Sequence, residues 1–146
     1  MLRRIRPTAP GSPAVLVLAA VAASVAGCTV DNGTSTVLTQ GSLLARWTIE
    51  EMVDPTSCVA FRTDRMQVIV DDLAGNTVTV VTPPCSDFLV DVVLVPMQYT
   101  ATLTLLDPSG LAASTSITTN PFSVFAGAQT ILDSDFPASA FFPVSP

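Results

Sequence analysis

The sequence contains no histidine, and this absence removes several kinds of catalytic chemistry at once. A Ser-His-Asp triad and a Cys-His pair both need an imidazole as general base, so neither can be present. Zinc sites with histidine ligands are excluded for the same reason. The motifs Gly-x-Ser-x-Gly and Cys-x-x-Cys are also missing. We therefore expect a protein without enzymatic activity and without a cofactor.

Lysine is absent as well, and the basic side chains are six arginines. Three of them lie within the first six residues, and the others are Arg46, Arg62 and Arg65. Beyond residue 27 these three arginines accompany all twelve acidic residues, which gives a net charge of −9. A basic groove for nucleic acid cannot be built from so few cations, so nucleic acid is excluded as a partner.

One nearly unbroken apolar run extends from Ala14 to Gly27. As a helix these 14 residues would reach about 21 Å, whereas the apolar core of a bilayer is about 30 Å thick. The run is too short to span a membrane comfortably and has the length of the apolar part of a signal peptide. Arg3, Arg4 and Arg6 supply the basic start that such peptides carry. We predict a signal peptide over residues 1–27.

The end of this run, Val25-Ala26-Gly27-Cys28, resembles the lipobox of bacterial lipoproteins. The resemblance implies that Cys28 is acylated on its sulfur with a diacylglyceryl group and becomes the mature N-terminus. Several acyl chains, palmitate among them, would anchor the protein stably to a membrane of the bacterial cell envelope. Because Thr29 follows the cysteine in place of aspartate, the enterobacterial sorting rule implies the outer membrane. The alternative is an ordinary secretory signal that leaves Cys28 as a free thiol.

The remainder of the chain divides into three parts. Residues 28–40 are rich in threonine, serine, asparagine and glycine, which is typical of a flexible tether. Residues 41–142 combine valine, leucine and threonine with proline and glycine at turns, and this composition predicts one β-domain. Residues 143–146 form a short tail.

Alternating apolar and polar residues mark the strands of the β-domain. The predicted strands are Ser42–Glu50, Arg65–Asp71, Thr77–Val81, Phe88–Val95, Tyr99–Leu105, Leu111–Thr118, Phe122–Phe125 and Gln129–Phe136. Short strands at this spacing predict an all-β fold, a single antiparallel β-sandwich of about seven or eight strands. No segment shows helical periodicity, and Asp54–Ser57 is predicted to be a turn.

Finer predictions concern individual strands. The hairpin turn at Asp72–Asn76 should lead into a strand whose Val78 and Val80 point into the core. The segment Asp107–Gly110 has the residues of a type I turn, with proline second and glycine fourth. Leu111–Thr118, which follows it, is predicted to be an edge strand.

The segment Val95–Leu103 resembles a corner found in transthyretin-like, carboxypeptidase-regulatory-like and other Ig-like domains. In those domains a turn with proline leads into a strand whose first tyrosine packs at the edge of the sandwich. The resemblance implies that Tyr99 takes this position and that the domain is Ig-like. It implies a fold and not an activity.

Cys58 and Cys85 each follow a proline-containing turn and are predicted to form a disulfide, because an exported chain meets an oxidising compartment. The closed loop of 28 residues would contribute about 3–4 kcal/mol in the chain-entropy model. We expect the bond to join loops or strand ends and not the centres of two sheets. A redox or catalytic thiol is the alternative, but the chain has no histidine that would activate it.

Two groups of acidic residues are candidate calcium sites. Asp71, Asp72 and Asn76 form an oxygen-rich loop, and Asp133 and Asp135 form a second acidic position. Their spacing does not match the Asp-x-Asp-x-Asp-Gly pattern of known calcium loops. The alternative for the first group is a turn that is hydrogen-bonded by its own side chains.

Phe141 and Phe142 lie near the end of the chain and either pack back on the sandwich or form an apolar patch for a partner. Together these features predict a non-enzymatic lipoprotein, anchored through Cys28, with a structural role or a role in binding an envelope protein or glycan. The alternative is an accessory subunit of a secretion, transport or cell-wall assembly. Such a subunit would dock through an edge strand or through the two phenylalanines.

Overall fold

The computed structural model describes residues 39–143, and the secondary structure there is mainly β. The eight strands of this part are β1 Gly41–Ile49, β2 Arg65–Asp72, β3 Thr77–Val81, β4 Leu89–Leu94, β5 Gln98–Leu106, β6 Ile117–Thr118, β7 Phe122–Ser123 and β8 Gln129–Phe136. One α-helix, α1 (Pro55–Ala60), and two 3₁₀ turns, Cys85–Asp87 and Ala138–Ala140, complete the described elements. Within this part of the chain no helix is long and apolar enough to cross a membrane.

The strands form two sheets. The smaller sheet has the order β4-β1-β8, and the larger has the order β3-β2-β5-β6, with β7 also paired to β5. Apolar side chains of both sheets share one core, which confirms the predicted all-β sandwich. The pairing is antiparallel except between β1 and β8, which run parallel. Chain order permits this exception, because parallel neighbours need a long connection and nearly the whole domain lies between these two strands.

The inner face of β1 shows how the sequence produces this core. Leu43, Ala45, Trp47 and Ile49 are almost completely buried, while the residues between them are half-buried or exposed. This is the predicted alternation with period two. The indole Nε1 of Trp47 donates a hydrogen bond to the carbonyl oxygen of Cys85 at 3.1 Å, so the largest core side chain also has its polar atom satisfied.

The prediction for β3 was wrong about which face points inward. Val78 and Val80 are 46% and 48% exposed. The register places Val81 opposite the buried Val68, and Val80 therefore lies opposite Ile69 on the outer face. The register shifts next to Asp71, beside the turn. Alternation in sequence shows which residues share a face, but pairing with the neighbouring strand decides which face is buried.

Residues 54–57 begin a helix, where the sequence predicted only a turn. Asp54 is the N-cap, and its side chain accepts a hydrogen bond from the backbone N–H of Thr56 at 2.8 Å. Pro55 occupies the first turn, where its missing N–H costs nothing. The same residues favour a turn and a helix start, and six residues are too few for helical periodicity to show.

The predicted strand Leu111–Thr118 is mostly irregular. Only β6, at its end, pairs regularly with β5. Ala112 and Ser114 make isolated bridges to Leu106 and Phe141. The N–H of Gly110 donates to the carbonyl oxygen of Asp107 at 2.9 Å, as expected for the predicted turn.

Cys58 and Cys85 form the predicted disulfide, with Cα atoms 6.1 Å apart. Cys58 lies in α1, on the connection from β1 to β2, and Cys85 lies on the connection from β3 to β4. Each of these connections passes from one sheet to the other. The disulfide therefore joins two of the four described connections between the sheets. It lies outside the strands, as the sequence predicted.

Tyr99 is completely buried at the start of β5. Its hydroxyl donates a hydrogen bond to the carbonyl oxygen of Val95 at 2.8 Å. This hydrogen bond ties the start of β5 to the residue that follows β4. Burial, together with the charge of Asp72, raises the pKa of the Tyr99 phenol above its ordinary value.

Candidate functional site

The outer face of the smaller sheet carries large apolar side chains that lack a covering layer within the described residues. Leu89 and Val93 on β4 are 50% and 63% exposed, and Ile131 on β8 is 53% exposed. Leu44 of β1 lies between the two outer strands and is half-buried. We call these four residues the apolar face. Contiguous exposed apolar area of this kind is typical of interaction surfaces.

The strand register places these side chains together. Leu44 lies opposite Asp91 of β4 on one side and opposite Ile131 of β8 on the other. One step along β1, Arg46 lies between Leu89 and Asp133. Since alternate residues of a strand share a face, the outward side chains of the three strands form one surface.

The strand β4 is an edge of the sheet, and its pairing with β1 determines where its backbone groups point. Trp47 N donates to the carbonyl oxygen of Phe88 at 3.1 Å, so Phe88 belongs to a hydrogen-bonded pair. In an antiparallel ladder such pairs alternate, and the residues between them direct their N–H and C=O groups away from the partner strand. In β4 those residues are Leu89, Asp91 and Val93. No other described strand pairs with this side of β4.

Leu89, Asp91 and Val93 therefore direct their backbone N–H and C=O groups toward the open edge of the sheet and their side chains toward its outer face. Leu89 and Val93 offer apolar contact, and the exposed Asp91 offers one negative charge between them. Protein edge strands are commonly protected by lysine, proline or a bulge. Within Leu89–Leu94 there is no lysine and no proline, and Asp91 is the single charged residue.

Charge around this face is mostly negative. The described residues contain three arginines and eleven acidic residues, which gives a net charge of −8. Arg46 and Arg65 both form ion pairs, with Asp133 and Asp64 respectively. The Arg46 guanidinium binds both carboxylate oxygens of Asp133, at 2.6 and 2.8 Å. This hydrogen-bonded pair lowers the pKa of Asp133 below its ordinary value.

An open groove of about 440 Å³ lies at one end of the smaller sheet. Its lining includes Arg46, Thr48, Val53, Asp133 and Asp135. Arg46 and Asp133 are bound to each other, and Asp135 accepts hydrogen bonds from Thr48 and Glu51. The groove lies next to the apolar face on the same sheet.

Asp135, predicted as part of a second acidic site, stabilises a strained turn. Its Oδ1 accepts hydrogen bonds from Thr48 Oγ1 at 2.7 Å and from the backbone N–H of Glu51 at 2.8 Å. Glu50 and Glu51 join β1 to Met52 with positive φ angles of 53° and 62°. Left-handed conformations at non-glycine residues are costly, and the contact with Asp135 helps to hold them.

The loop predicted as a calcium candidate also bonds to itself. Asp72 accepts hydrogen bonds from the backbone N–H groups of Ala74 and Asn76 and from the side-chain amide of Asn76, at 2.8–2.9 Å. Asp71 accepts from Thr77 Oγ1 at 2.8 Å. These contacts match the alternative prediction, a turn closed by its own side chains. The hydrogen bonds that Asp72 accepts lower the pKa of its carboxyl group. Within residues 39–143 no three acidic, cysteine or histidine side chains are grouped as metal ligands.

The two phenylalanines of the tail differ. Phe141 stacks on Phe61, with ring centroids 4.0 Å apart, and packs against the core. Phe142 is 49% exposed, although its backbone N–H donates to the carbonyl oxygen of Ala113. Phe141 thus packs back on the sandwich, in agreement with one of the two predictions, and Phe142 is the exposed member of the pair.

Cys28, the predicted lipidation site, lies outside the described residues. Cys58 and Cys85 are 4% and 1% exposed and bonded to each other, which leaves no accessible thiol at either position. Sequence reasoning did not identify the apolar face or the open edge of β4. A signal was present, because Leu89–Val95 is apolar on both faces of the alternation, with Asp91 as the exception.

Comparisons with models of protein families, with curated proteins and with solved structures find no significant match to this chain. A function must therefore be inferred from the residues and geometry of the chain itself.

Proposed function

We propose that this protein is a lipid-anchored component of a bacterial cell envelope whose β-sandwich binds a partner without catalysing a reaction. The observation that carries the proposal is the sequence Val25-Ala26-Gly27-Cys28, placed directly after a basic start and a short apolar run. In this proposal Cys28 carries the lipid, and residues 29–40 separate the membrane from the folded domain. As an extended chain those residues would reach about 40 Å.

The cysteines support export. A buried disulfide between Cys58 and Cys85 is stable in an oxidising compartment such as the periplasm and is uncommon in the cytosol. With these two paired, Cys28 is the one cysteine left, and the proposed lipid would occupy its sulfur.

The surface supports a binding role. The described domain lacks a converging set of general acid, general base and nucleophile, and histidine is missing from the whole chain. What it does present is the apolar face and the open edge of β4. These features also favour the second candidate function, an accessory subunit of a larger envelope assembly, because a permanent partner would cover the edge.

The anchor is tested by replacing the proposed lipid-bearing sulfur. In Cys28→Ala the protein should move from the membrane fraction to the soluble fraction, and incorporation of labelled palmitate should stop. The matched control is the double variant Cys58→Ala with Cys85→Ala, which keeps Cys28 and should remain in the membrane fraction. Unchanged membrane fractionation and labelling of Cys28→Ala would contradict the proposal.

A second experiment addresses the membrane. Thr29→Asp should shift the protein from the outer to the inner membrane if the proposed sorting rule applies in the host bacterium. Separation of the two membranes on a density gradient measures this shift. An identical distribution of Thr29→Asp and the unaltered protein would contradict assignment to the outer membrane by this residue.

A further inference from the structure

We propose that β4 pairs with an extended segment of a partner polypeptide in which a basic residue stands between two apolar residues, in the pattern apolar-x-basic-x-apolar. The partner would add a fourth strand to the three-stranded sheet. This inference rests on the binding role proposed above and names the partner's chemistry and the surface that receives it.

The backbone of β4 provides the first argument. Leu89, Asp91 and Val93 direct their N–H and C=O groups away from β1, toward the open side of the sheet. Addition of a strand to such an edge satisfies these groups with main-chain hydrogen bonds. The backbone groups alone accept any extended chain, so the selectivity must come from side chains.

The outward side chains of β4 provide the second argument. A strand added beside β4 would place its own outward side chains next to Leu89, Asp91 and Val93, because cross-strand neighbours share a face. Apolar residues would continue the apolar face beside Leu89 and Val93, which are 50% and 63% exposed. Next to Asp91 a lysine or arginine would form an ion pair. The order of residues along β4 thus specifies the order along the partner.

Charge argues against a second copy of this chain as the occupant. The described domain has a net charge of −8, and β4 contains no lysine or arginine that would neutralise Asp91 of another copy paired with it. Antiparallel pairing of two β4 strands about their centres would place Asp91 opposite Asp91, and like charges directly opposite each other are destabilising. A partner with a basic residue at that position removes this repulsion.

The edge strand β3 provides an internal control. Val80 is 48% exposed and, like Val93, lies outward on a strand at the edge of its sheet. Its strand carries no charged residue, so β3 does not offer the apolar-acidic-apolar order. The two valines can therefore be altered in the same way with different expected results.

The test uses the full chain, labelled with ¹⁵N and kept in detergent micelles. The probe is a fluorescent peptide, acetyl-Thr-Val-Thr-Lys-Thr-Val-Thr-amide, and a second peptide has glutamate in place of lysine. We expect the lysine peptide to bind at least about tenfold more tightly, as a charge-assisted contact predicts. Binding should slow hydrogen exchange at the amides of Leu89, Asp91 and Val93.

Three variants locate the binding. Val93→Pro removes an N–H that β1 does not use, and it should weaken binding about tenfold while the fold is retained. Asp91→Lys alters an exposed side chain and should reverse the preference, so that the glutamate peptide binds more tightly. Val80→Pro, the matched control on β3, should leave binding unchanged.

Several results would overturn the inference. One is the absence of binding by the lysine peptide, and another is binding that Val93→Pro and Asp91→Lys both leave unchanged. Protection of the three amides before peptide is added would mean that another part of the chain, or a second copy, already covers the edge. Sedimentation would identify a second copy. None of these results depends on Cys28, so failure here is distinguishable from failure of the proposed anchor.

Discussion

The two sheets share one core but present different outer faces. The smaller sheet exposes leucine, valine and isoleucine on its apolar face. On the larger sheet the exposed apolar residues Val78 and Val80 lie on the edge strand β3, and the central strand β5 presents threonines outward. Thr102 Oγ1 lies 3.2 Å from Thr118 Oγ1, and Thr104 Oγ1 lies 2.7 Å from Ser116 Oγ. Thr102 is half-buried and Thr104 is buried, and the hydroxyl of each lies within hydrogen-bonding distance of a hydroxyl on the neighbouring segment. The difference indicates that the smaller sheet is the one suited to a partner.

The inner faces, by contrast, should respond alike to mutation, and the largest effects are expected there. Trp47→Ala on the smaller sheet should lower the free energy of unfolding by about 3–5 kcal/mol, and Leu103→Ala on the larger sheet by about 2–5 kcal/mol. Both side chains are fully buried, and the indole of Trp47 also donates a hydrogen bond to the backbone carbonyl oxygen of Cys85. Denaturant unfolding in urea measures both values. A loss below 1 kcal/mol for either variant would contradict a core shared equally by the two sheets.

The next largest effect should come from the disulfide between Cys58 and Cys85, which joins the β1–β2 connection to the β3–β4 connection. The double variant Cys58→Ala with Cys85→Ala should lose about 3–4 kcal/mol, because the unfolded chain regains the entropy of an open loop. Thermal unfolding of this variant, compared with that of Cys28→Ala, measures the effect. Cys28→Ala retains the disulfide and should unfold at the same temperature as the unaltered chain. Equal midpoints for all three proteins would contradict a stabilising role for the bond.

A smaller effect is expected at Tyr99 on the larger sheet. Tyr99→Phe removes the hydrogen bond to Val95 and should cost about 0.5–1.5 kcal/mol. The pKa of Tyr99 is raised from 10.0, so its stabilising contribution is complete below pH 10 and is lost as the pH rises through the folded-state pKa. Unfolding measured between pH 8 and 12 should show this alkaline loss in the unaltered protein and a weaker one in Tyr99→Phe. Identical pH profiles for the two proteins would contradict a stabilising contribution of the protonated Tyr99 phenol.

The outer faces should show the smallest effects on stability and the clearest contrast in surface properties. Ile131→Thr and Thr102→Ile should each change the free energy of unfolding by about 0.5 kcal/mol or less. Ile131→Thr should weaken retention on a hydrophobic column, whereas Thr102→Ile should strengthen it. Equal retention of the two variants would remove the proposed difference between the faces.

Part of the fold was predictable from local pattern. The strands β1, β2, β5 and β8 coincide with predicted segments to within one residue at each end, because every second side chain along each strand points toward the core. Patterns that are short or ambiguous were less informative. Asp54–Ser57 predicted a turn and begins a helix, and Leu111–Thr118 predicted a strand but pairs regularly only at Ile117–Thr118. The helix begins at a local cap formed by Asp54, whereas bridges to Leu106 and Phe141 accompany the irregular segment.

The candidate surface was less predictable than the fold. Val80 and Val93 occupy similar positions in similar patterns, and each is an outward residue of an edge strand. Nothing local indicates that β4 would be an edge, because this depends on β1 pairing with β8 on its other side. The pairing of β1 with β8 joins segments that lie at opposite ends of the domain in sequence.

Residue types and local spacing are enough to predict the all-β class, the alternation that builds the core, the disulfide partners and the absence of histidine chemistry. Strand pairing is needed to establish that Val80 faces outward, that β1 and β8 run parallel and that β4 has one side open. Each of these depends on which strand lies beside which, and hydrogen bonds between distant segments set that order.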